Sequence, residues 1–215
     1  MKNFVVIGLG RFGSAIASEL SALGHEVLAI DTDEERVQQV ADRVTHAVAA
    51  DARNLEVLQA LGVRNFDCAV VAMGSDVGSS ALITLNLKEL GVGKVVCKAQ
   101  SHTHSRVLEK IGADRVVFPE HEMGVKVAQG LSSSNVLNFI EFSGDYGIVE
   151  LALPKSWQGK TLKELDVRNV YGVNVIALRR NGKMLITPGG ALPLDPNDVV
   201  VVLGLDKNIN RLQNL

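Results

Sequence analysis

Short apolar runs alternate with amphipathic segments along the first 118 residues. The runs are rich in valine, isoleucine and alanine, which is typical of strands buried on both faces of a sheet. They predict six strands, at residues 4–7, 27–30, 45–49, 68–72, 95–97 and 115–118. The segments between them predict helices, and glycines at 62, 91 and 112 mark where three of these end. We therefore predict an α/β fold, a Rossmann-like doubly wound parallel sheet.

The hydrophobic pattern changes between residues 122 and 142. Apolar positions on several sides of this stretch predict a long helix, interrupted by the polar residues 132–135. Such a helix needs an apolar surface to pack on. The sequence is compatible with two such surfaces, one on a partner subunit and one on its own domain. We assign residues 1–122 to a nucleotide-binding domain and residues 123–143 to a connecting helix and dimerisation segment.

Residues 144–215 predict a second, smaller α+β domain. Strand candidates lie at residues 148–153, 173–179, 183–187 and 199–203, and the pair Asn181-Gly182 is typical of a tight hairpin turn. Helices are predicted from Thr161 and over residues 208–212. Gly159-Lys160-Thr161 is similar to the end of a phosphate-binding loop, but Pro154 stands where that loop needs glycine. A capping box from Thr161 to Glu164 is the better interpretation.

The first strand leads directly into a glycine motif, Gly8-Leu9-Gly10-Arg11-Phe12-Gly13. In the dinucleotide-binding turn the first glycine allows a tight turn, the second lets backbone approach a phosphate, and the third lets helix and strand pack closely. The second strand ends on Asp31, where the motif predicts a carboxylate for ribose hydroxyls, and Asp33 follows. No arginine comes directly after Asp31 to receive a 2′-phosphate, so the pattern favours an adenosine nucleotide without that phosphate.

Composition narrows the class of protein. The chain has 215 residues, of which 47% are hydrophobic, and a net charge of −2 without a basic run, so nucleic acid is not the expected partner. Cys68 and Cys97 lie in strand-like runs and are predicted to be reduced core residues. The chain enters its first strand without a signal peptide, and no apolar stretch approaches the roughly 20 residues of a membrane span. We expect a cytoplasmic protein with any membrane role supplied by a partner.

The residues favour a nucleotide sensor over an enzyme. A dehydrogenase needs an acid or base near the nicotinamide, yet the smaller domain has no histidine, and neither Tyr146 nor Tyr171 has a lysine four residues later. His102 and His104 follow the fifth strand, where a solvated loop is the preferred interpretation over a metal site. An NAD(H)-linked redox sensor or a small NAD-dependent oxidoreductase stays open as the alternative.

The sequence resembles the RCK (KTN) family of regulatory subunits of bacterial Ktr/Trk-type potassium uptake systems. The resemblance covers the whole chain, with the smaller domain similar to the family's RCK-C (TrkA-C) domain around residues 165–168. The segments that carry it in the first domain are residues 6–13, 24–31, 98–100, 108–115 and 119–124.

The resemblance implies a function. Such proteins bind ATP or ADP, and in some members NAD(H). They form homodimers that assemble into octameric rings beneath a membrane-embedded potassium-translocating subunit. The chain would then be a cytoplasmic gating subunit, peripheral on the inner face of the membrane.

The resemblance also implies roles for residues. Asp31 and Asp33 would hold the ribose and Asp51 would lie beside the adenosine, although Ala50 replaces the glycine common before it. Arg11 would reach polyphosphate, including that of a neighbouring subunit, and Glu120 would bind Mg²⁺ or Ca²⁺ near the phosphates. The full set of implied nucleotide-binding residues is Gly8, Gly10, Arg11, Phe12, Gly13, Asp31, Thr32, Asp33, Asp51, Ala52 and Lys98.

Some relatives bind cyclic di-AMP in the RCK-C domain. The corresponding region here contains Val167, Arg168, Val175 and Pro188. The resemblance therefore implies a second nucleotide site in the smaller domain.

Overall fold

The computed structural model describes residues 1–74, 76–132, 136–143 and 145–213. The chain divides into two compact units, Met1–Glu122 and Met123–Leu215. Each unit has its own hydrophobic core and its own sheet.

The first unit is built on a six-stranded parallel sheet in the order β3-β2-β1-β4-β5-β6. Its strands are β1 (Asn3–Ile7), β2 (Glu26–Asp31), β3 (His46–Ala49), β4 (Cys68–Val71), β5 (Val95–Lys98) and β6 (Arg115–Val117). The helices that follow them are α1 (Arg11–Ala22), α2 (Glu34–Ala41), α3 (Leu55–Ala60), α4 (Val77–Glu89), α5 (His102–Lys110) and α6 (Pro119–Ser132). The predicted Rossmann-like doubly wound fold is confirmed, and the carboxyl ends of all six strands share one edge.

Both faces of this sheet are covered by apolar side chains. Along β1, Val5 and Ile7 belong to one buried cluster and Val6 to another, as the alternation of a strand requires. Cys68 and Cys97 are buried and free, as predicted. Burial raises the pKa of the Cys97 thiol to about 11, and its Sγ lies 3.2 Å from the Thr84 hydroxyl. This thiol is therefore a protonated core group at neutral pH.

The second unit contains a five-stranded antiparallel sheet in the order β10-β9-β11-β8-β7. The strands are β7 (Val136–Ser143), β8 (Tyr146–Ala152), β9 (Val173–Arg180), β10 (Lys183–Ile186) and β11 (Val199–Leu205). The helices are α7 (Leu162–Leu165), α8 (Val167–Tyr171) and α9 (Asp206–Gln213). A core that includes the fully buried Trp157, Leu178 and Ile209 forms between sheet and helices. The predicted smaller α+β domain is confirmed.

The prediction of a long helix over residues 122–142 is wrong for the second half of that stretch. Helix α6 ends at Ser132, and residues 136–143 form strand β7, which pairs antiparallel with β8 in a register that sets Ile140 opposite Ile148. The β-branched and aromatic residues of this segment suit a strand. Residues 136–143 form a strand rather than a helix because they pair with β8. This pairing supplies partners for their backbone N–H and C=O groups, and it exists only in the folded sheet.

Two local predictions in the second unit are confirmed. Asn181 and Gly182 both have positive φ, 50° and 76°, in the two-residue turn between β9 and β10. The Thr161 hydroxyl accepts from the Glu164 N–H at 3.1 Å, and the Glu164 carboxylate accepts from the Thr161 N–H at 2.7 Å. Thr161 therefore starts a helix through a capping box rather than ending a phosphate-binding loop.

The sequence analysis placed His102 and His104 in a solvated loop after β5, and this prediction is wrong. Both residues belong to the first turn of α5, and His104 is only 1% exposed. Ser101 caps this helix and accepts the His104 backbone N–H at 3.1 Å. In the described part of the chain neither ring nitrogen of His104 has a hydrogen-bond partner, and burial lowers the pKa of the imidazole. His104 is therefore neutral in the folded protein at neutral pH.

No helix in the described part of the chain combines the length and apolar character needed to span a bilayer.

The buried imidazole makes stability depend on pH. The pKa of His104 is lower in the folded than in the unfolded chain, so the unfolded state binds the extra proton as the pH falls below about 6.5. The resulting loss is at most about 1.4 kcal/mol of unfolding free energy per pH unit. Urea unfolding at pH 7.5 and 5.5 should show a smaller pH-dependent loss for His104→Gln than for wild type. The exposed His46→Gln control should retain the wild-type loss; equal losses in all three proteins would remove His104 as the cause.

Candidate functional site

A cavity of about 400 Å³ opens at the carboxyl edge of the parallel sheet. Residues that end or follow β1 to β5 line it, as expected for a ligand site in a doubly wound fold. Of the residues implied for nucleotide binding, it brings together Gly8, Gly10, Asp31, Thr32, Asp51, Ala52 and Lys98. Arg11, Phe12, Gly13, Asp33 and Glu120 are not among the residues that line it.

The three glycines of the motif meet different physical demands. Gly8 has φ +91°, a left-handed conformation that turns the chain out of β1. A Cβ on Gly13 would lie 1.8 Å from the Gly8 carbonyl oxygen and 3.0 Å from the Ala72 Cβ, so only glycine lets α1 approach β1 and β4 this closely. A Cβ on Gly10 would meet nothing within 4 Å, because this residue faces the open cavity.

The glycine motif also starts helix α1 at the cavity. Gly10 is the N-cap and offers no side chain to the first N–H groups of the helix. Unpaired N–H groups and the positive end of a helix dipole favour an anion such as phosphate. The space beside Gly10 is therefore suited to a phosphate group.

Asp31 is fixed beside the glycine motif as a hydrogen-bond acceptor. One carboxylate oxygen accepts from the Leu9 N–H at 2.6 Å and the other accepts from the Asp33 N–H at 3.0 Å. The side chain is 9% exposed, and the Arg36 guanidinium lies 3.8 Å away. Each oxygen retains capacity for another donor, so the carboxylate can accept from sugar hydroxyls in the cavity.

Asp33 is occupied differently. Its carboxylate caps helix α2, accepting from the backbone N–H groups of Glu35 at 3.0 Å and Arg36 at 3.3 Å. Its second oxygen pairs with the Arg36 guanidinium at 3.2 Å. An aspartate directly before a helix is a typical cap signal.

Asp51 and Arg53 form a bidentate pair at the end of β3. The Arg53 Nη2 donates to one Asp51 oxygen at 2.7 Å and its Nε to the other at 2.9 Å, while the Arg53 backbone N–H donates at 3.0 Å. These hydrogen bonds hold the pKa of Asp51 below its usual range. The buried Asn86 of α4 donates to the Arg53 carbonyl at 3.0 Å. Asp51 is therefore an ionised, well-oriented acceptor.

Sequence reasoning missed several residues that line this cavity. They are Arg36, Ala50, Arg53, Met73, Gly74, Asp76, Ser79 and Gln100. Asp76 caps α4 by accepting from the Ser79 N–H at 3.0 Å and the Ser79 hydroxyl at 2.6 Å, which lowers its pKa. An aspartate three residues before a serine at a predicted helix start was the available signal for this pair. The two arginines gave no local signal, because their positions depend on how α2 and the β3–α3 loop fold over the sheet edge.

Lys98, Glu120 and Phe12 form a cluster at the β5 side of the cavity. The Lys98 ammonium donates to a Glu120 carboxylate oxygen and lies 5.8 Å from the centre of the Phe12 ring. The side chain of Lys98 is 11% exposed, whereas that of Glu120 is 68% exposed. The Lys98 hydrogen bond, together with the nearby charge of Arg11, lowers the pKa of Glu120.

A divalent cation needs more oxygen ligands than Glu120 alone supplies. Within the described ranges no group of three or more histidine, cysteine, aspartate or glutamate side chains is arranged to hold a metal ion. A cation at Glu120 would therefore depend on oxygens from a bound ligand, water or another subunit.

The second unit has a cavity of its own, about 380 Å³ in volume. Val167, Arg168, Val175 and Pro188, the residues implied for cyclic di-AMP, all line it. Lys163 adds a second positive charge and Asp166 a negative one. The sequence therefore grouped four residues that the fold does bring together.

The fold and the first cavity define a Rossmann-type nucleotide-binding protein with a small antiparallel C-terminal domain. Family models agree: the TrkA-N domain matches residues 4–119 and the TrkA-C domain matches residues 148–215. The chain belongs to the TrkA family of RCK-domain potassium-transport proteins.

Named relatives and a solved structure share this architecture. The chain is 46% identical to Ktr system potassium uptake protein A of Bacillus subtilis, covering 99% of this chain and 96% of that protein. It is 38% identical to Ktr system potassium uptake protein A of Vibrio alginolyticus, covering 100% and 98% respectively. The solved GsuK RCK domain superposes with a TM-score of 0.68 at 18% identity, over all of this chain and 47% of that one. The chain thus spans about half the length of that structure.

The glycine geometry separates folding from ligand binding. Gly13→Ala places a methyl group against the Gly8 carbonyl and should cost about 3 kcal/mol or more of unfolding free energy. Gly10→Ala enters open space and should melt near the wild-type temperature. We expect it to weaken nucleotide binding by roughly ten-fold, because the methyl group obstructs close approach of a phosphate to the backbone.

Thermal melting and calorimetric titration of the two variants test this. Equal melting losses for both variants would contradict the assigned packing. Unchanged nucleotide affinity in Gly10→Ala would contradict a phosphate position beside Gly10.

Proposed function

We propose that this chain is the nucleotide-sensing regulatory subunit of a Ktr-type potassium uptake system. The observation that carries the proposal is the cavity at the glycine motif, in a chain that matches Ktr system proteins over nearly its whole length. The ligand state of the cavity would bias the shape of an assembly that controls a membrane partner. A ligand can do this only through different affinities for the two shapes.

We propose ATP and ADP as the ligands, with NAD(H) as the alternative. The GsuK channel, a structural neighbour, has been solved bound to NAD and also bound to ADP, which supports a nucleotide ligand in general terms. Asp31 would accept from the ribose hydroxyls, and Asp51 would lie beside the adenosine. The N–H groups around Gly10 and the Lys98 ammonium would receive phosphates.

Arg11 and Glu120 complete the proposed site. Arg11 is exposed on the first turn of α1 and does not line the cavity of its own chain. In the proposal it contacts the polyphosphate bound to a neighbouring subunit, a role suited to a bidentate guanidinium. Glu120 would supply one carboxylate to Mg²⁺ or Ca²⁺ whose other ligands include phosphate oxygens, as is usual for Mg²⁺ at nucleotides. Asp33 would contact the ribose only alongside its helix-capping role.

Assembly with other chains is part of the proposal. Among the described side chains of helix α6, Met123, Val125, Val127 and Leu131 are large, apolar and exposed. Exposed apolar side chains on one helix favour burial against a partner, and we propose a second copy of this chain there. Homodimers would then form an octameric ring, located in the cytoplasm on the inner face of the membrane and bound to the potassium-translocating subunit.

We propose no enzymatic role. The relatives carry names of potassium uptake proteins, which favours the regulatory function over the NAD(H)-linked oxidoreductase or redox sensor. Among the described residues that line the cavity of the first unit, none is a histidine or tyrosine that could act as acid or base.

Calorimetric titration of the nucleotide-free chain with ATP, ADP, NADH and NADPH, each with Mg²⁺, tests the proposal. We expect ATP and ADP to bind at least about ten-fold more tightly than NADH. Arg11→Ala should narrow the difference between ATP and ADP, because it removes a contact to the terminal phosphate. Arg43→Ala, at an exposed arginine just beyond the end of α2, is the matched control and should leave that difference unchanged.

Tighter binding of NADH than of ATP and ADP would favour the redox-sensor hypothesis instead of the proposed function. An unchanged ATP-to-ADP ratio in Arg11→Ala would remove Arg11 from the mechanism.

We also propose cyclic di-AMP as a ligand of the second cavity. Arg168 and Lys163 supply two positive charges against the single negative charge of Asp166, in a lining that also contains several apolar residues. This combination suits a phosphate-linked dinucleotide. Saturating cyclic di-AMP should raise the melting temperature, and Arg168→Ala should abolish most of that rise. Absence of both heat and thermal shift in the wild-type chain would end this proposal.

A further inference from the structure

Lys98 is the more deeply buried member of the Lys98–Glu120 pair. It ends β5 with its side chain 11% exposed, while the carboxylate of Glu120, near the start of α6, is 68% exposed. A buried ammonium is costly without a partner, so the solvated carboxylate is held in place by the lysine. The pair therefore neutralises the positive charge on this side of the cavity.

The other cations of the cavity are engaged on the opposite side. Among the described lining residues, the side chains that carry positive charge are Arg36, Arg53 and Lys98. Arg36 pairs with Asp31 and Asp33, and Arg53 pairs with Asp51, all at the ends of β2 and β3. Lys98 lies instead beside the Phe12 ring of the glycine motif. Lys98 is thus the cation that is placed to bind phosphates, and its ammonium group is already paired with the Glu120 carboxylate.

We propose that Glu120 controls the affinity of the cavity for phosphates by competing with them for Lys98. The Glu120 carboxylate holds the Lys98 ammonium, so a phosphate group must displace that carboxylate before it can pair with Lys98. This inference rests on the proposed function, since it requires nucleotide phosphates in the cavity.

Metal-free ADP titration isolates the competition. In EDTA, Glu120→Gln should bind ADP about 5-fold more tightly than wild type, the effect expected from freeing a partly exposed ion pair. Glu122→Gln is the matched control, because Glu122 lies two residues away on α6 and accepts from the Phe118 N–H at 3.2 Å rather than from Lys98. It should stay within about two-fold of wild type if the effect is specific to the pair.

A double-variant comparison completes the test. In a Lys98→Met background, which should itself bind ADP more weakly, Glu120→Gln should bring no gain. Melting temperatures of all variants should be compared, because Glu120→Gln leaves the Lys98 ammonium without its charged partner.

The outcomes separate the two proposals. The competition would be overturned if the metal-free ADP affinity of Glu120→Gln were equal to or lower than that of wild type. An equal gain in ADP affinity in Glu122→Gln would also overturn it. No ADP binding by wild type with or without Mg²⁺ would reject the nucleotide function itself.

Discussion

The close approach of helix α1 to the sheet is the constraint on which the first unit depends. No side chain fits at Gly13, since a Cβ there would lie 1.8 Å from the Gly8 carbonyl oxygen. This contact fixes the loop so that the Leu9 N–H reaches Asp31 across the β1–β2 boundary. One steric requirement therefore sets the N-terminal end of α1 beside the Asp31 carboxylate at the end of β2.

Hydrogen bonds and ion pairs within the chain orient the charged side chains of the cavity. Backbone N–H groups hold Asp31, Arg53 holds Asp51, and Ser79 at the start of α4 holds Asp76. Lys98 is in turn held by Glu120. The β2–β3 side thus presents oriented acceptors suited to hydroxyl and amino groups, while on the β5 side Lys98 is paired with Glu120. Orienting polar groups in advance lowers the ordering cost of binding a ligand.

The parts of the site that the sequence predicted are those with a local physical cause. Glycines at 8, 10 and 13 and a carboxylate at the end of β2 have a fixed spacing, because strand, turn and helix follow one another directly. Arg36 and Arg53 were missed because their contacts to Asp31 and Asp51 form only when α2 and the β3–α3 loop fold onto the sheet edge. The pairing of Lys98 with Glu120 spans 22 residues and two elements, so residue spacing gave no sign of it.

The sequence by itself determined the parallel sheet, the glycine motif, the hairpin at Asn181-Gly182 and the capping box at Thr161. Each depends on periodicity or on bonds between residues close in the chain. Only the tertiary structure decided that residues 136–143 form a strand and that His104 is buried. A strand at a sheet edge is set by its partner across the ladder, and burial is set by what packs over a side chain. Both are contacts between segments distant in sequence, which a local pattern does not contain.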